Sequence, residues 1–337
     1  MEMDNRTIVE NVSRILSEPK NHVKWEKAYV RYADKIEGNS ERYDKARKLF
    51  RLPKPMYAYS SISLASSTLK YDIRAHGQSI GSIQVKDGIP YLDVPVKKAK
   101  KTEEYFRLPC SSIEQKNWSS SKEAAKFRAV FRNWEYRKLK SEEHSIENLL
   151  LAEFAKGLRS DNKMLCNIQP VQLSKCFFQL TTPLKASTHA PSFSMNDKGG
   201  ATGGGIDMLA RIKHLPTETR LAIIELKDDN NKKEPQKEVM LQALSYATFI
   251  AFLLRSKSAD KWWKLLGFSG QMPEFLELDV ITLMPKGFSE EGEKDAISIE
   301  PLNVTLNPMT LYYELDSGHN LQGFSGTLLE SIYQAGK

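Results

Sequence analysis

Two acids and a lysine stand at spacings suited to holding a metal ion. Gly203-Gly204-Gly205-Ile206-Asp207 sets a carboxylate at the opening of one apolar run, and Ile223-Ile224-Glu225-Leu226-Lys227 closes the next. Residues i and i+2 of a β-strand project to one face, so Glu225 and Lys227 point together. If the two runs pair as a hairpin, with His214 to Thr219 as its tip, Asp207 lies beside them. Three charges at the end of an apolar sheet are costly to bury unless they are paired or bind a cation. Carboxylate oxygens suit a hard ion, Mg²⁺ or Mn²⁺, which keeps most of its waters.

The elements that must position these groups follow from periodicity. Glu142 to Leu158 reads as a helix with Ile146, Leu149, Leu150, Phe154 and Leu158 on its apolar side. Strands are expected near Phe177–Thr181, Gly205–Lys213 and Arg220–Leu226, then a long helix over Pro235–Arg255. Later strands fall near Phe275–Leu283, Ala296–Ile299 and Leu311–Leu315, with a terminal helix over Gly326–Gln334. This order gives an α/β fold with a mixed sheet. Lys198 to Gly205 carries five glycines, which lets a backbone approach the site closely and suggests a loop mobile before substrate binds. It is not a P-loop, because no Gly-Lys-Ser/Thr follows.

Taken in order, these motifs resemble the PD-(D/E)XK nuclease superfamily, in its RecB-like and restriction-endonuclease-like branch, over roughly residues 142–285. The resemblance implies a restriction-endonuclease-like mixed sheet flanked by helices, and phosphodiester hydrolysis in DNA. Asp207 and Glu225 would hold the metal, with the Leu226 carbonyl as a third ligand, and Lys227 would orient or deprotonate the attacking water. The family places an acid of its first core helix at the metal. By position that is Glu147, with Glu143 and Glu153 behind it, and His144 completes an H-x-x-E pattern. Gln242 and Tyr246, four apart on one helix face, resemble the family's Q-x-x-x-Y element, which holds the substrate strand or the catalytic groups. The four-cysteine cluster of the Cas4-like relatives is missing.

The N-terminal region lies outside the resemblance. Residues 1–140 carry 29 Lys and Arg against 17 Asp and Glu, whereas residues 141–337 carry 20 against 25. A basic α+β module over 1–140, for binding DNA or sensing a ligand, would then precede a nuclease domain over 141–337. Helices are expected over 7–37, broken near Pro19, and over Ser40–Leu52. Tyr57–Leu64, Thr68–Arg74, Ser79–Val85 and Pro90–Val94 read as an antiparallel meander. Lys97, Lys98, Lys100 and Lys101 read as a loop, either solvated or touching phosphates. A helix from Ser120 or Ser121, with Ser120 and Glu123 at capping-box spacing, carries an apolar stripe of Phe127, Val130, Phe131 and Trp134. The domain boundary is placed within Arg137–Glu143.

Three cysteines without a CxxC pair argue for a reducing cytoplasm. The longest apolar run, Ala247 to Leu254, is too short to span a bilayer, and the first residues lack a signal-peptide core. No Walker A motif is found, so ATP-driven movement would need a separate ATPase or defence-system subunit. A double-strand cutter would favour a homodimer. Two other readings stay open: a nuclease-fold binding or structural subunit without catalysis, and an effector nuclease regulated by a ligand.

Overall fold

Alternating β-formers between Met56 and Val94 fold as expected into a meander of four antiparallel strands, Met56–Ser60, Leu69–Ala75, Gln78–Lys86 and Ile89–Val94. The computed structural model describes residues 4–60, 69–132, 143–156, 165–186, 190–215, 217–228, 235–288 and 295–335. It divides into two units, one made of 35–152 and 172–178, the other of 1–34, 153–171 and 179–337. Both are α/β with a mixed sheet flanked by helices.

In the first unit the meander gains Ile113–Asn117 at one edge and, at the other, Cys176–Phe178 parallel to Met56–Ser60, followed by Gln172–Leu173. Tyr71, Ile73, Ile80, Ile83 and Leu92 pack with Phe106, Phe127 and Phe131 in its core. Phe127 and Phe131 are therefore core residues, and Trp134, the last of the expected stripe, lies outside the described residues. That helix spans Lys122–Arg132, and its cap is Ser121, whose Oγ accepts the Ala124 N–H at 3.1 Å, rather than a Ser120–Glu123 box. The four-lysine stretch is a helix, Val96–Phe106, not a loop, because Ala99, Thr102 and Phe106 give it a buried face behind Pro95. The helix from Ser40 stops at Arg47, short of Leu52.

The second unit holds a sheet in the order Ile297–Ile299, Val304–Leu315, Leu276–Pro285, Glu218–Leu226, Met208–Leu215 and Ile168–Pro170, with Leu321–Ser325 also on Val304–Leu315. The three central strands run parallel, and Met208–Leu215 is antiparallel to Glu218–Leu226, as the hairpin reading requires. The helix Gln236–Leu253 joins the first two parallel strands and is apolar almost all round, so both its faces need cover. The sheet covers one face. The N-terminal helix Asn5–Ser17 covers another, with Ile8, Val9, Val12 and Leu16 buried. Trp25 and Tyr29 then set their rings edge-on to Phe249.

Residues 4–34 thus belong to the unit that carries Asp207 and Glu225, and the two units are not consecutive halves divided near residue 140. Most of the stretch expected to hold the boundary, residues 137–142, lies outside the described residues, as does Leu158. The charge asymmetry survives the new division. The unit of 35–152 and 172–178 carries 24 Lys and Arg against 14 Asp and Glu. Among the described residues no helix is long and apolar enough to cross a membrane.

Candidate active site

The glycine run is anchored on both sides. Residues 180–184 lie antiparallel to 203–206. Ile206 N–H donates to Leu180 O at 3.0 Å, Thr182 N–H to Gly204 O at 2.8 Å and Gly204 N–H to Leu184 O at 2.8 Å. The expected mobile loop is therefore a paired segment, and its glycines answer to close approaches. A Cβ on Gly203 would stand 2.2 Å from the Leu184 carbonyl oxygen, and one on Gly204 1.8 Å from the Tyr246 hydroxyl. This pairing delivers Asp207 to the head of the strand Met208–Leu215.

Met208 pairs with Ile224, so Asp207 stands one step beyond the ladder, opposite Glu225. Its Oδ2 accepts the Leu226 N–H at 2.9 Å. Alternate residues of a strand turn their backbone groups to alternate edges. Lys227 N–H donates to Leu283 O on the parallel neighbour, so Leu226 turns its N–H and its carbonyl the other way, toward Asp207. Glu225 and Lys227 share a face as expected, with Oε1 and Nζ 3.6 Å apart, and are 2 % and 7 % exposed.

The helix Gln236–Leu253 reaches the same place. Gln242 Nε2 donates to Glu225 Oε1 at 2.5 Å. Tyr246, one turn on, is buried, and its phenol is held well above its ordinary value. Burial is the main cause, and the Glu225 and Asp207 charges add to it against a Gln242 hydrogen bond. Asp207, Glu225, Lys227, Gln242 and Tyr246 therefore meet within one unit.

Other expected residues belong to the unit of 35–152. Glu147 is 2 % exposed there, with Oε2 3.5 Å from His144 Nδ1. Its charge, after burial, raises the phenol of Tyr59, on which the Arg74 guanidinium lies 4.0 Å from the ring centroid. Glu143 is half-buried, and Glu153, in the other unit, is ion-paired to Lys156. Lys97, Lys100 and Lys101 are exposed. Lys98 is not equivalent to them, because its Nζ donates to Asp72 Oδ1 at 2.7 Å and Ser79 Oγ at 2.6 Å.

Sequence reasoning missed three supports. Tyr313 Oη donates to the Lys227 carbonyl at 3.0 Å. Thr182 Oγ1 holds Gly204 O at 3.0 Å, and Tyr312 Oη reaches Gln236 Oε1 at 2.8 Å. Each partner is distant in sequence, and no local spacing announces it.

The donor set fits a hard divalent cation. Two carboxylates and one ammonium leave a net negative charge in a largely buried place, and Mg²⁺ needs few protein oxygens. The Leu226 carbonyl faces the same side. Among the described residues no three or more His, Cys, Asp or Glu side chains gather as metal ligands, so within this unit the set is two carboxylates and a carbonyl. No family model, no curated protein and no solved structure matches the chain.

Proposed function

We propose that this protein is a metal-dependent nuclease that hydrolyses phosphodiester bonds in DNA, with a restriction-endonuclease-like unit around Asp207 and Mg²⁺ or Mn²⁺ as cofactor. The observation that carries the reading is the meeting of Asp207, Glu225 and Lys227 at one sheet end, with Gln242 hydrogen-bonded to Glu225.

Asp207, Glu225 and the Leu226 carbonyl would hold the cation. When bound, it supplies charge neutralisation for the pentavalent phosphate and acidifies a water. The protein's own groups do the rest. Leu226 N–H fixes one oxygen of Asp207, and Gln242 fixes one oxygen of Glu225, so the two carboxylates keep a set orientation. Lys227, with its Nζ 3.6 Å from Glu225 Oε1, would orient or deprotonate the attacking water. Tyr246, kept protonated by burial and by both acids, remains a hydrogen-bond donor at any physiological pH. The basic unit would meet the DNA backbone, in restriction, anti-phage defence or repair.

The test is cleavage of closed circular and linear DNA with Mg²⁺, Mn²⁺ or EDTA. Wild type should cut only with metal. Glu225→Gln keeps the shape of the side chain and removes its charge, so it should abolish cutting. Undiminished metal-dependent cutting by purified Glu225→Gln protein would overturn the proposal.

A further inference from the structure

A cleft of about 460 Å³ lies wholly within the unit of 35–152 and 172–178. The segment after the helix Ser40–Arg47 forms one wall. The turn at Trp118–Ser119 and the helix Lys122–Arg132 form the other. Lys48, Arg51, Arg128 and Arg132 line it, and among the described residues no acidic side chain does.

The walls are fixed by Trp118, which is buried. Its Nε1 donates to Arg51 O at 3.1 Å, tying the two walls together. The Arg128 guanidinium lies 4.7 Å from the Trp118 ring centroid and donates to the Trp118 carbonyl, so Arg128 is built into the floor. Arg132 follows one helical turn later on the same face. Burial, then this like charge, holds Arg128 below its ordinary value. Like charges four apart weaken a helix, so the pair does not serve the helix that carries it. Lys48, Arg51 and Arg132 are exposed and make no ion pair among the described residues.

Four cations around a concavity with protein walls focus a positive potential inside it. Guanidinium groups match phosphate oxygens with paired donors, which a single ammonium does not. Leu49, Leu52 and Pro53 add an apolar side to the same cleft. The volume falls in the range of about 300–1,000 Å³ typical of small-ligand sites, and suits one nucleotide rather than a duplex. We propose that the cleft binds a nucleoside phosphate, with the phosphate on Arg51, Arg128 and Arg132 and the nucleoside against Leu49, Leu52 and Pro53. Two sources carry this chemistry, a free nucleotide and the 5′-phosphorylated end of a strand. The inference does not depend on the nuclease proposal, because it is read as binding and not as cleavage.

The experiment is calorimetric titration of the full chain, without metal, using four groups of probes. They are adenosine and guanosine, their 5′-mono- and triphosphates, a 5′-phosphorylated trinucleotide and its 5′-hydroxyl counterpart. Phosphorylated ligands should bind and nucleosides should not, and Arg51→Glu/Arg132→Glu should weaken binding at least tenfold without changing the melting temperature. Binding of the free nucleotides assigns the first source, and binding of the phosphorylated trinucleotide alone assigns the second. Should the double reversal melt early, Arg51→Gln/Arg132→Gln repeats the titration with the same expectation. Failure of every phosphorylated probe to bind, or binding unchanged in the folded double variant, would overturn the inference.

Discussion

Replacing Gly204 by alanine adds one methyl at the tightest point of the candidate site. The new Cβ would stand 1.8 Å from the Tyr246 hydroxyl oxygen and 2.8 Å from the ring carbon that bears it. Ordinary contact is near 3.5 Å, so one partner must retreat by about 1.7 Å. Gly204 cannot retreat cheaply. Its N–H is bonded to Leu184 O, and its carbonyl takes both the backbone N–H and the hydroxyl of Thr182. Tyr246 is 1 % exposed on a helix buried on nearly every side. Overpacking of this kind costs about 1–3 kcal/mol, and the pinned backbone puts the expected value in the upper half of that range. Urea unfolding of Gly204→Ala, Tyr246→Phe and the double variant would measure it. Without the hydroxyl the nearest ring atom is still 2.8 Å away, so the rescue should be partial, with about 1 kcal/mol of coupling. A Gly204→Ala protein within about 0.5 kcal/mol of wild type, with the same cost in both Tyr246 backgrounds, would refute the close approach and the role given to these glycines.

Lys227→Ala should cleave on the order of 10²–10⁴-fold more slowly than wild type while keeping its metal dependence, and normal rates at saturating metal would remove Lys227 from the mechanism. Lys97→Ala/Lys100→Ala/Lys101→Ala should lower duplex affinity and flatten its log–log salt dependence by up to about 0.9 per lost phosphate contact, whereas an unaltered slope would clear this helix of DNA binding. Lys98→Ala should instead lower stability by about 1–2 kcal/mol, because it strips Asp72 of a close cation, and equal melting curves would contradict that. Burial holds the His76 imidazole at about 4 against 6.5 unfolded, so the unfolded chain takes up its proton first as pH falls. The contribution, at most ~3 kcal/mol, is full above pH 6.5 and lost as pH falls toward 4. His76→Asn, which tolerates the positive φ there, should flatten urea midpoints between pH 7 and 4.5, and an unchanged pH slope would count against it.

Much of the fold was legible because its signals are local. The meander after Met56, the paired runs of the Asp207 hairpin and the apolar helix Gln236–Leu253 each carry their period within one element. What could not be read was which element covers which. The helix Asn5–Ser17 has an apolar stripe that would suit many partners, and only the second bare face of Gln236–Leu253 shows where it goes. Residues 1–34 group with the basic region only by position, since they carry six Lys and Arg against six Asp and Glu, and packing assigns them to the other unit. The lysines at 97–101 looked like a loop because their charges hide a spacing, Ala99, Thr102 and Phe106, that buries one helix face.

The site divides along the same line. Glu225 with Lys227, and Gln242 with Tyr246, are pairs set by strand and helix periods, so the residue types at those intervals carried the reading. Contacts between elements were not available to it. Gln242 meets Glu225 across 17 residues, Tyr313 meets the Lys227 carbonyl across 86, and Tyr246 fills the space that Gly204 leaves. The glycines illustrate the difference. A glycine run in a sequence states that a side chain is absent without saying why, and freedom of the backbone is only one reason. Here Gly203 and Gly204 lack a Cβ because Leu184 and Tyr246 occupy its place, and the same segment is hydrogen-bonded along its length. The loop that looked built to move is instead a paired spacer. It holds Asp207 opposite Glu225, with the Tyr246 hydroxyl at its back. An acid in a largely buried place needs a backbone that does not give way, and paired glycine is the chain that can pass behind a tyrosine and still end in Asp207.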